Sequence, residues 1–120
     1  MTRQISFTKH EHKVLPNFRH KINKAESTED VKKFFVYTVM ELLDNVFDGE
    51  IKFEYEDCAL KIDQDPFYSL SERILSSEAF QPVWNESDLQ RVLSRLAKSA
   101  AHRYKHLKKN PDKTDSKIRI

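Results

Sequence analysis

A mainly α-helical fold, a small bundle of about four helices with a short β-hairpin across 51–62, is what the sequence predicts. Gly49 is the single glycine, and four prolines in 120 residues are too few turn formers for a many-stranded β fold. Two long stretches repeat apolar residues at intervals of three and four, the period of a helix with one buried face. Eight Phe, four Tyr and one Trp supply an interior although charged residues reach 33%.

The first helix is expected from about Lys9 to Lys24, where Val14, Leu15, Phe18 and Ile22 recur at helical spacing behind Thr8 and Glu11, a pair with capping-box separation. Pro16 falls inside it and predicts a kink, because proline lacks the amide donor and crowds the preceding turn. Ser27 and Asp30 announce the second helix. Its stripe of Val31, Phe34, Phe35, Thr38, Val39, Leu42, Leu43 and Val46 runs to Gly49, the expected left-handed stop. Off-stripe Val36, Tyr37, Met40 and Phe47 suggest a central helix covered on more than one side.

From Ile51 the period changes. Ile51, Phe53 and Tyr55 alternate with charged residues, as do Cys58, Leu60 and Ile62 after Asp57, so these two runs are expected to pair as a hairpin. Ser69 and Glu72 suggest a short third helix ended by Pro82. Ser87 and Gln90 open the last helix, whose stripe is Leu89, Val92, Leu93, Leu96, Ala97, Ala100, Tyr104 and Leu107. One domain over 1–110 and a flexible basic tail over 111–120 follow.

Cys58 is the lone cysteine, which excludes an internal disulfide and a cysteine-based zinc site. Polar residues follow Met1, and no run approaches the roughly 18 apolar residues of a membrane span, so a cytoplasmic protein is expected.

Charge is distributed unevenly along the chain. The net charge of +2 combines a first segment, 1–24, with six Lys or Arg against one Glu, and a middle, 25–88, with five against sixteen acids. The last segment, 89–120, has ten against two. Opposite the apolar stripe of the last helix, Arg91, Arg95, Lys98, His102, Lys105 and Lys109 form a cationic stripe, broadened by Arg103 and Lys108. At 1.5 Å per residue it extends roughly 27 Å, long enough to follow a phosphate backbone or an acidic partner. Its structural reading is a solvated helix face.

The remaining constellations are weaker. Glu41, Asp44 and Asp48 share a flank of the second helix, yet Asp63-Gln64-Asp65-Pro66 lacks the spacing and glycine of a calcium loop. His102 and His106 stand one turn apart but among cations that repel a metal ion, so no metal or cofactor is expected. No nucleophile motif or phosphate loop occurs, and Cys58 lies in a strand pattern where packing is its ordinary role. The leading expectation is therefore a non-enzymatic interaction or assembly module, self-associating through apolar surface that 120 residues do not cover, or binding a protein partner. Nucleic-acid or polyanion binding through the basic face is the alternative, and a small enzyme or metal protein without a motif is the third class.

Overall fold

A computed structural model describes residues 7–64 and 66–109. The fold is mainly α, with five helices and one two-stranded antiparallel sheet among the described residues. Helix α1 (Thr8–Lys24) is followed by α2 (Thr28–Phe47), a 3-10 turn (Tyr55–Asp57), β1 (Cys58–Leu60) and β2 (Tyr68–Leu70). Then come α3 (Glu72–Leu75), α4 (Phe80–Glu86) and α5 (Leu89–Lys109).

The two long amphipathic stripes become α2 and α5, and they meet in one core. Val31, Phe35, Val39, Leu42 and Leu43 of α2 are buried with Leu93, Leu96, Ala97 and Ala100 of α5. Phe18 and Ile22 of α1 join them. Ser27 caps α2 as expected, its hydroxyl accepting the Asp30 N–H at 3.2 Å, while the Asp30 carboxylate accepts the Glu26 N–H at 3.3 Å. At the other end the chain takes two left-handed residues, Asp48 at φ +51° and Gly49 at φ +77°, which turns it out of the helix at low steric cost at the glycine.

Several local expectations are corrected. Thr8 does not cap α1: the N-cap position is Phe7, without a side-chain bond. The Phe7 N–H donates instead to the Asp88 carboxylate at 2.7 Å, and the Thr8 hydroxyl to its second oxygen at 3.3 Å. The Pro16 expectation is not among these: α1 runs through Pro16, which sits on its exposed side, where a missing amide bond opens onto water rather than the core.

The hairpin is present but lies downstream of its expected position. Cys58–Leu60 pairs with Tyr68–Leu70 in the register Ala59 opposite Ser69, and 51–57 supplies no strand. The cause is Asp57. Its buried carboxylate accepts the Glu54 N–H and the Ser71 hydroxyl, each at 2.7 Å, and the Arg73 guanidinium. That set of donors folds 55–57 into a tight turn and draws the segment after β2 alongside. Burial alone would raise the Asp57 pKa, but these bonds and the arginine's charge hold it below its ordinary value.

Ser71, rather than Ser69, caps α3 by accepting the Ile74 N–H. Pro82 does not end a helix; it stands in the first turn of α4, where a backbone donor has no partner to lose. Phe80 and Trp84 of α4 stack at 5.2 Å, and Phe80 reaches Phe47 of α2 at 5.4 Å, which closes this end of the core. None of the described helices is long and apolar enough to cross a membrane.

Candidate anion-binding groove

Helix α5 runs parallel to α1, because three long-range attachments join them in the same order along both helices. Asp88, just before α5, takes the Phe7 amide at the start of α1. One turn on, Arg95 grips Glu11 with two bonds, Nε to Oε2 at 2.9 Å and Nη2 to Oε1 at 2.7 Å. At the far end Arg103 donates to the carbonyls of Ile22, Asn23 and Ala25 at 2.9 to 3.1 Å, satisfying the orphan acceptors that end α1.

Between these attachments lies an open groove of about 1060 Å³. From α1 it is lined by Glu11, His12, Leu15, Arg19 and Ile22, and from α5 by Arg95, Lys98, His102, Arg103 and His106. Its basic side chains come from both helices, whereas Glu11 is the one carboxylate lining it among the described residues. Glu11 is buried, and both of its oxygens are held by Arg95, whose own side chain remains half exposed at 51%. The hydrogen bond to Glu11 raises the Arg95 pKa, so the guanidinium stays charged at any relevant pH.

The six cationic-stripe residues therefore separate. Arg95, Lys98 and His102 line the groove. Arg91 is exposed on the flank, while Lys105 turns to the hairpin loop and places its ammonium 5.0 Å from the Phe67 ring centroid. The side chain of Lys109 and the segment 111–120 lie outside the described residues. The wall contributed by α1 is not part of the stripe read from the sequence. Thr8, Glu11, His12, Leu15, Arg19 and Ile22 recur at helical intervals, which is the signal that could have found it.

Other candidate chemistry is placed elsewhere. Cys58 is buried in β1, and burial, assisted by the Asp57 charge, pushes its thiol up to about 12, far from a reactive thiolate. Among the described residues no three His, Cys, Asp or Glu side chains gather to hold a metal ion. Glu41, Asp44 and Asp48 are exposed on α2. The surplus apolar surface is also reduced: Tyr104 and Leu107 pack against the core, and Tyr37, Tyr55 and Leu75 are the large apolar residues left exposed among the described ones. Compared with known proteins, the chain matches no family model, no curated protein and no solved structure.

Proposed function

We propose that this protein is a non-enzymatic interaction module that engages an anionic macromolecular surface through the α1–α5 groove. The observation that carries the reading is the segregation of charge. A chain with sixteen acids in its middle segment would repel a polyanion if those acids bordered the basic helix. They do not line this groove: Asp88, at the head of α5, is engaged by Phe7 and Thr8, and Glu11, the one carboxylate in the lining among the described residues, is neutralised by a two-bond ion pair.

The groove suits electrostatic rather than sequence-specific binding. Lys98 and Arg19 are exposed and supply charge, with Arg91 on the flank. Arg95 and Arg103 are anchored to α1 and contribute field more than direct contact. Leu15 is half-buried within the lining and offers a small apolar foothold. Three available cations correspond to a slope of about −2 to −3 in log K against log salt for a phosphate backbone.

The test is fluorescence anisotropy of two labelled probes, a short single-stranded oligonucleotide and a polyglutamate peptide, at low and high salt. At least one probe should bind at low salt, weaken as salt rises, and lose binding to the Arg19→Glu/Lys98→Glu variant. Failure of both probes at low salt, or equal binding by that variant, would overturn the proposal.

A further inference from the structure

Two of the three large apolar side chains left exposed among the described residues touch one another. Tyr37 on α2 and Tyr55 in the 3-10 turn are 51% and 44% exposed, and their rings meet edge to face at 5.5 Å. Continuing along α2 from Tyr37, Glu41, Asp44 and Asp48 follow at helical intervals, all exposed, while Lys33 stands one turn before. This face lies on the side of α2 opposite Val31, Phe35 and Leu42, which enter the core, so it and the α1–α5 groove are separate surfaces. Exposed tyrosines bordered by charge have the composition of an interface centre with a polar rim.

The partner that fits such a face is cationic, concave and of similar length, and the molecule itself carries one. From Tyr37 to Asp48 the stripe extends roughly 17 Å, and the α1 wall from Thr8 to Ile22 roughly 21 Å, at 1.5 Å per residue. Among the described residues, Glu41, Asp44 and Asp48 face outward with no lysine or arginine within ion-pair distance, and Arg19 and Lys98 have no carboxylate within it. We propose that the Tyr37–Tyr55 acidic face of one copy docks in the α1–α5 groove of a second copy. Because the two surfaces differ, association is head-to-tail: in a pair one copy keeps its groove free and the other its acidic face, so further copies can add. The inference rests on the groove being an anion-binding surface and names its partner.

Sedimentation velocity of the full chain over a range of concentrations, at about 50 mM and about 500 mM salt, tests it, since screening strengthens about threefold across that span. The wild-type mass should rise with concentration at low salt and return to monomer at high salt. Glu41→Lys/Asp44→Lys and Arg19→Glu/Lys98→Glu should each remain monomeric, and their equimolar mixture should associate, because it pairs the intact groove of the first with the intact acidic face of the second. Tyr37→Ser should weaken association at least tenfold without a charge change. All five positions are exposed, and circular dichroism of each variant is the control for folding.

A wild-type monomer at every concentration in low salt, association by either double variant alone, or a mixture that stays monomeric would overturn the docking. The anisotropy titration separates this from the groove reading. If Glu41→Lys/Asp44→Lys still binds the anionic probes while the wild type does not self-associate, only the identity of the partner falls. If Arg19→Glu/Lys98→Glu binds them as well as wild type, the groove reading falls with it.

Discussion

Helix α5 meets two neighbours in two different ways. Toward the core it places Leu93, Leu96, Ala97 and Ala100 in the same apolar cluster as Phe35, Val39, Leu42 and Leu43 of α2, all at most 1% exposed. Toward α1 it is fastened by an ion pair, a set of carbonyl bonds and a carboxylate clasp, with a groove between the fastenings. Dry packing is non-directional and fills space, so it supplies stability and leaves no cavity. Polar fastenings fix a few points and set register. One helix therefore divides its circumference between holding the fold and presenting a site.

The largest test of that division is on the dry side. Phe35 is fully buried in α2, and Phe35→Ala removes the whole phenyl ring from a packed core, with an expected loss of about 3–5 kcal/mol in urea unfolding. Against a total of about 5–15 kcal/mol this leaves a marginal protein, yet at low temperature its folded fraction should bind anionic probes as the wild type does. A loss below about 1 kcal/mol would mean that the α2–α5 contact does not dominate stability.

The second test concerns the polar seam. Arg95→Met leaves the Glu11 carboxylate buried without its partner, and the expected cost is about 2 kcal/mol, below the 3–5 kcal/mol of fully buried pairs because Arg95 is half exposed. Glu11→Met/Arg95→Met removes both charges and should recover most of that loss, since no uncompensated carboxylate remains. Equal losses in the single and double variants, measured by thermal unfolding, would show that the pair acts through packing rather than charge.

This difference between seams also explains what the sequence revealed. The α2 and α5 stripes, the Ser27 cap and the Gly49 stop were legible because each is a local pattern within one or two turns. Each misread element was decided by something distant or short. The Thr8 and Glu11 spacing mimics a capping box, but their partners Asp88 and Arg95 lie 80 and 84 residues away. Strand β2 has only three residues, too few to show a period, and Ile51, Phe53 and Tyr55 alternate without pairing because Asp57 turns the chain. Half of the groove was visible as the α5 stripe. Its other wall required knowing that α1 lies parallel to α5, which is a tertiary fact, and the same fact divides the stripe between groove and hairpin loop.

The smallest expected effect gives the finest resolution. Arg103 and Lys98 both line the groove, but the Arg103 guanidinium is bonded to three carbonyls at the end of α1, whereas Lys98 is exposed and makes no ion pair among the described residues. A lysine at position 103 keeps the charge and loses the planar fork that reaches several acceptors at once. Arg103→Lys should therefore lower stability by about 1 kcal/mol, the net worth of an ordinary hydrogen bond or two, and leave anion affinity unchanged. Lys98→Gln should do the reverse, keeping the unfolding midpoint while weakening binding at low salt. If Arg103→Lys reduced affinity as much as Lys98→Gln does, the fastenings would themselves be contact residues, and α5 would not separate holding the fold from presenting the site.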